Sequence, residues 1–341
     1  MKMSAGALAA GVLMVTGIAS WVLFGADEEP RQVNAPVIEV PVVMPSENNS
    51  ADSGGRAPPE SSALPASLED TVARTADIDW LRRYHESTDD FALAHDLAEA
   101  ALSGNSRAQY LLGEVLLRCE IVERTLAPYA EGTVAERVER HLGSQPHGLE
   151  HSRNKFRREA LRCAKLFSEN PLADYDLPEE ANDFRYWSRL AVASQDPIAI
   201  MDRAFQTVAN SPATRDAEQD RVFQEALLAD VRIAVTSGDP AALFKLGGLL
   251  SYPSVGASTE QGYAWQVAAC EAGYDCSLAN PDWGFDCVAS GACLAGETWL
   301  DTLQRDLGAV KYAEIYAQAQ DIQYKIKARD WDGLQQYLKI Q

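Results

Sequence analysis

One short phrase recurs along this chain and limits what it can fold into. Ser237–Leu250 reads SGDPAALFKLGGLL, Ser194–Phe205 reads SQDPIAIMDRAF, and Ser103–Leu116 reads SGNSRAQYLLGEVL. Each phrase is a joint between two helices. A glycine accepts the left-handed conformation that closes a helix. Asp239, Asp196 or Asn105 then accepts hydrogen bonds from the free amides that start the next helix. Pro240 and Pro197 follow at the first helical position, where a missing amide costs nothing. In alignment, Ala108, Ala199 and Ala242 coincide, as do Tyr110, Met201 and Phe244, and Gly113, Ala204 and Gly247. Upstream, Ala100, Ala191, Ala234 and Ala269 each stand four residues before Gly104, Gln195, Gly238 and Gly273, and Trp187 aligns with Trp265. The joints start at Ser103, Ser194, Ser237 and Ala272, at spacings of 91, 43 and 35 residues. A period of roughly 35–45 residues is the signature of stacked helical hairpins, and the first spacing reads as two such lengths.

From Leu68 to the end, apolar residues recur at helical spacing and Gly or Asp-Pro punctuates them. No sustained alternation and no Asn-Gly or Asp-Gly hairpin signal appears. The expected body is all-α, a dozen or so helices of about three to four turns each. The pattern Ala-x-(Tyr/Phe)-x-Leu-Gly on one helix leads to Tyr263-Ala264-Trp265-x-x-Ala268-Ala269-x-x-Ala272-Gly273 on the next. This resembles Sel1-like repeats, relatives of the tetratricopeptide repeat, and the connection GLLSYPSVGASTEQG (248–262) resembles the longer loop of that repeat. The match is good over 237–275, fair over 90–118 and weak over 184–206, where Arg203 stands in place of Leu. The stretch 120–180 is poorly repetitive. The resemblance implies a degenerate helical-hairpin repeat array. The C-terminal half, with its C-x5-C segments and closing ARDWDGLQQYL, is similar to uncharacterised envelope proteins of Gram-negative bacteria, a likeness that brings no known activity.

The N-terminus places that body. Met3–Ala26 is uncharged and mostly apolar, and as a helix of ~36 Å it would cross a hydrocarbon core of ~30 Å. Lys2 precedes it and Asp27, Glu28 and Glu29 follow, which orients the body away from the cytoplasm. The expected organisation is a transmembrane signal anchor at 1–26, a disordered linker at 27–67 and the helical domain at 68–341. The alternative is a cleaved signal peptide with its site at Gly17-Ile18-Ala19, giving a soluble periplasmic or secreted body. The run continues past that site through Trp21 and Phe24, which favours the anchor in an inner membrane. The linker holds seven of the chain's 16 prolines and no aromatic residue, too little apolar surface to offset ordering entropy. Within it, Val37–Met44 (VIEVPVVM) is more apolar than a spacer needs. The net charge of −20 excludes a phosphate-binding stripe and hence nucleic acid.

The cysteines are the best-defined chemistry. An exported compartment and an even count of six (Cys119, Cys163, Cys270, Cys276, Cys287 and Cys293) point to structural disulfides. Zinc prefers tighter spacing within each pair, and a redox dithiol prefers C-x-x-C. In the Cys-rich segment 270–293, local pairing 270–276 and 287–293 competes with crossed pairing among the four. Cys119, near the end of one helix, and Cys163, inside another, are expected to clip two neighbouring helices. His147–His151 reads HGLEH and matches the H-x-x-E-H pattern of inverted zinc peptidases. Its helix, however, turns Leu149, Phe156, Ala160, Cys163 and Phe167 inward and both histidines outward. The remaining metal alternative is a fortuitous site at His147 and His151 with His141. His85 and His95 have no nucleophile partner in view. No catalytic or cofactor-binding motif occurs, so no catalytic residue or cofactor is assigned. The expectation is a membrane-anchored periplasmic scaffold that binds other envelope proteins or peptides. The alternative is an envelope hydrolase with an unrecognised acidic site.

Overall fold

The computed structural model describes residues 80–144, 150–211, 215–252, 255, 258–277, 280 and 297–338. The expected anchor, the linker, His147, Cys287 and Cys293 lie outside the described residues. Among the described residues every regular element is helical, and no helix is long and apolar enough to cross a membrane.

After helical turns at 80–86 come α1 (Asp90–Leu102), α2 (Ser106–Leu126), α3 (Val134–Ser144) and α4 (Glu150–Cys163). Next come α5 (Phe184–Ala193), α6 (Pro197–Ala209), α7 (Ala217–Ser237), α8 (Pro240–Leu250) and α9 (Thr259–Glu271). The described chain closes with α10 (Trp299–Leu307), α11 (Ala309–Ala328) and α12 (Trp331–Leu334). At 21, 21 and 20 residues, α2, α7 and α11 exceed the expected length. Packing runs in the order α1, α2, α5, α6, α7, α8, α9, α11, each helix against the next. One main core collects the aligned residues Tyr110, Met201 and Phe244.

The joints follow their chemistry. Gly104, Gln195, Gly238 and Gly273 all adopt positive φ, at 93°, 60°, 64° and 107°. Gln195, with a Cβ, takes the same conformation as the three glycines because the closing bonds demand it. Asn105, Asp196 and Tyr274 each donate a backbone N–H to the carbonyl of the aligned alanine, at 3.1 Å to Ala100, 2.9 Å to Ala191 and 3.0 Å to Ala269. This is the six-to-one closing bond of a helix end. The caps then act as expected: Asn105 accepts from Ala108, Asp196 from Ile198 and Ala199, and Asp239 from Ala241 and Ala242.

The long first spacing holds α3, α4 and α5. α5 packs directly on α2, as α9 packs on α8. Between α2 and α5 the chain inserts α3 and α4, which pair with each other and build a separate small core of Val122, Leu126, Val138, Leu142 and Ala160 against α2. The aligned glycines mark the two equivalent contacts. A Cβ on Gly247 would meet the Gly262 carbonyl oxygen at 2.5 Å and the Gln266 nitrogen at 2.9 Å. On Gly113 it would meet Ser188 Oγ at 3.2 Å and the Phe184 carbonyl at 3.3 Å. Backbone cannot yield as a side chain can. Gly247→Ala is therefore expected to cost about 1–3 kcal/mol by forcing α8 and α9 apart. Gly113→Ala should cost less, because the Ser188 hydroxyl can turn away. Urea titration of both variants checks the order, and an equal or reversed cost would refute the close backbone contact.

The aligned tryptophans are both fully buried, and each indole donates to a backbone carbonyl: Trp187 to nearby Ala181 at 2.7 Å and Trp265 to Tyr337, 72 residues away, at 2.9 Å. The second bond holds the C-terminal turn, 335–337, onto α9. Tyr337 Oη donates to Asp321 Oδ2 at 2.6 Å. Burial, then this hydrogen bond, pushes the Tyr337 hydroxyl up to about 12. A raised tyrosine contributes stability below its unfolded value of about 10 and loses it as pH rises through the folded value. The parent is expected to lose stability between about pH 10 and 12 to an extent that Tyr337→Phe does not. Denaturant midpoints across that range test this; parallel curves would refute it.

Candidate binding cleft and its ionic supports

The N-terminal ends of α2, α6 and α8 are bound together by one arginine. Arg107, in the first turn of α2, is almost fully buried. Its Nε donates to Asp196 Oδ2 at 2.7 Å, and a terminal guanidinium nitrogen donates to Asp239 Oδ2 at 2.7 Å. Both carboxylates are the caps of the following joints. Burial alone would favour the neutral guanidine; the charges of Asp239 and Asp196 more than reverse this and hold the cation. Burial likewise pushes the Asp196 carboxyl up, against the pull of Arg107 and the Ala199 amide.

A second ionic cluster fastens the inserted hairpin. Asp90, in the first turn of α1, is fully buried. Its Oδ1 accepts two bonds from Arg162 of α4, and its Oδ2 accepts two from Arg118 of α2. Arg162 also donates to the Tyr84 carbonyl at 3.0 Å, and the Arg118 guanidinium lies 4.7 Å from the centre of the Tyr84 ring. Beside them runs the disulfide Cys119–Cys163, joining α2 to α4 as expected. The two cysteines sit differently from the sequence reading: Cys119 lies within α2, and Cys163 is the last residue of α4. Asp90 Oδ2 is 3.6 Å from each sulfur. That trio has the compactness of a metal site, but the sulfurs are bonded to each other and the carboxylate is taken by two arginines. Cys270–Cys276 forms the other described disulfide, the local pairing. Thiol labelling of denatured, unreduced protein is expected to modify none of these four cysteines. Labelling at any of them would refute the bridges.

Of the histidine alternative, only the His141 side chain lies among the described residues. Its ring packs 4.9 Å from Phe156 and edge-on to Tyr129 at 5.7 Å, and burial lowers its pKa. The His151 side chain lies outside the described residues along with His147. The His95 ring lies tilted against Tyr175, centroids 5.6 Å apart, and Glu179 and Glu180 start a 3-10 turn after Pro178.

The cleft itself lies beside the Arg107 junction. Tyr110 and Glu114 of α2, Ile198 of α6, Ala241 and Lys245 of α8, and Tyr274 line it. Leu81, Tyr84 and His85 of the 80–86 turns complete the lining, and the space enclosed is about 20 Å³, room for one water. Asp202 of α6 ties the lining together: it accepts from Tyr110 Oη at 2.9 Å and pairs with Lys245. Behind Tyr274, Phe244 stacks on its ring at 4.4 Å and meets Trp299 edge-on at 5.5 Å. The lining thus combines aliphatic and aromatic side chains with the charged groups Glu114 and Lys245. None of these lining residues was singled out as a ligand contact by the sequence; only the register of Tyr110, Met201 and Phe244 placed the helix face. Comparison with protein-family models, with curated proteins and with solved structures finds no match.

Proposed function

We propose that this chain is a scaffold that binds other envelope proteins or peptides, held at the inner membrane by its N-terminal apolar run with the helical body on the periplasmic side. The body is read as a degenerate helical-hairpin array resembling Sel1-like repeats, with one hairpin inserted inside the first unit. The observation that carries this reading is the set of equivalent joints locked in register by Arg107. A joint repeated in register lays successive helix faces side by side, and such stacks offer extended binding surfaces. The step from surface to scaffold is fold analogy. The disulfides fit an oxidising compartment.

Affinity capture of the full-length anchored chain from envelope membranes tests the proposal. A defined set of envelope proteins should accompany the parent and be lost from the Lys245→Glu variant, which reverses the charge beside Asp202, with its helical circular dichroism checked against the parent. An unchanged set, or none from the parent, would refute it.

A further inference from the structure

α7 carries a second patterned face, turned away from the main core. Its inner side buries Leu227, Val231 and Ala234. On the other side Val222, Glu225, Ala229, Arg232 and Thr236 follow at spacings of three and four, one stripe of a helix. Val222 is 52% exposed, and Leu228 beside the stripe is 40% exposed. Glu225, Ala229, Arg232 and Thr236 also line a groove of about 800 Å³ together with Trp331 and Leu338. The two charges on this face are incompletely used. Arg232 pairs with no carboxylate among the described residues, and its guanidinium stands 5.2 Å from the centre of the Trp331 ring. Glu225 accepts from Arg221 through Oε1 at 2.6 Å, and its Oε2 has no partner among the described residues.

We infer that this face is self-complementary and joins two copies of the chain through antiparallel α7 helices. A twofold axis makes one patch meet itself. Placed across α7 midway between Leu228 and Ala229, such an axis sets Glu225 of each copy opposite Arg232 of the other, and Leu228 opposite Ala229. Between 221 and 236 it brings no two like charges face to face. A parallel pairing in register would instead set Glu225 on Glu225 and Arg232 on Arg232. Charge therefore selects the antiparallel arrangement. Ala229 beside the axis permits the helix axes to approach to ~8–10 Å. The stretch from Val222 to Thr236 is ~21 Å long, and covering it removes Leu228 and Val222 from water. The chain's net charge of −20 opposes association in general. That long-range repulsion is screened beyond ~8 Å at physiological ionic strength, whereas pairs in contact are screened less.

Sedimentation of the full-length chain in density-matched detergent, over a concentration series, tests the pairing. The parent is expected to show a reversible monomer–dimer equilibrium. Glu225→Arg alone and Arg232→Glu alone each set like charges opposite one another at two symmetric places, and each is expected to weaken the dimer at least about tenfold. An equimolar mixture of the two single variants restores opposite charges at both places, and so does the double variant. Both are expected to return to within about threefold of the parent. Glu225 and Arg232 are exposed, so helical circular dichroism should not change. A monomeric parent would overturn the inference. So would a dimer that ignores both single reversals, the result if the N-terminal apolar run alone associated, or reversals that neither the mixture nor the double variant repairs. Should a variant lose its helical circular dichroism, a photoreactive residue at position 228 decides. It is expected to yield two copies joined at α7, and adducts to other proteins only, or no adduct, would overturn the inference.

Discussion

Exchanging Arg107 for Met is expected to lower the stability of the helical body by about 3–5 kcal/mol, the cost of leaving a buried charge without its partner. In a body of this size that is a drop in thermal midpoint of roughly 10 °C. Asp196 carries the penalty, since it is almost completely buried while Asp239 keeps some access to water. Without Arg107 the burial that already pushes Asp196 upward is opposed only by the capping amides. A raised carboxylate contributes stability below its unfolded value and loses it as pH rises, so the deficit should shrink as pH falls from 7 toward about 4. Adding Asp196→Asn to Arg107→Met should recover more than half of the loss, because the uncompensated charge is gone and the cap remains. Denaturant unfolding of the parent, single and double variants forms the cycle. A small single-variant loss, or no recovery in the double variant, would show that the junction is not held by this ion triad.

Asp90→Ala is expected to have an effect of similar size, about 3–5 kcal/mol, through the opposite charge. It leaves the Arg118 and Arg162 guanidinium groups, both mostly buried, facing each other across an empty carboxylate site. The loss should be regional. α1, α2 and α4 meet at Asp90, so protection against hydrogen exchange should fall there and across the inserted hairpin before it falls in α8 and α9. The Cys119–Cys163 disulfide keeps α4 tethered to α2, so secondary structure should outlast the stability. Uniform loss of protection over the whole body, or a loss below about 1 kcal/mol, would refute the assignment of Asp90 as the hub of this region.

These two clusters show where the sequence is legible and where it stops. Asp196 and Asp239 are readable as caps because the groups they serve lie two and three residues away. Their bond to Arg107 spans 89 and 132 residues and leaves no local pattern. Gln195 could be placed in the left-handed region only by alignment with glycines; its identity argues against it. The pairing of α2 with α5 was hidden for a related reason. α3 and α4 carry ordinary amphipathic periodicity, and nothing local tells an inserted hairpin from the next unit of a series. Cys119 and Cys163 were paired correctly by parity and by the demand for neighbouring helices, although their places within those helices were misjudged. The turn at 80–86, whose Tyr84 joins the main core, carries no local signal of the helices it packs against. A helix is named by its own spacing, but the surface it covers is named only by the fold.

The central claim is that the cleft face of the helical body meets other envelope proteins. It is tested most directly by site-specific photocrosslinking in intact membranes. A photoreactive residue at position 245 in the cleft is compared with one at position 324, whose native tyrosine is 71% exposed on α11. The account predicts discrete adducts of higher mass from position 245 and none of the same adducts from position 324. Identical adducts from both positions, or none from position 245, would contradict it.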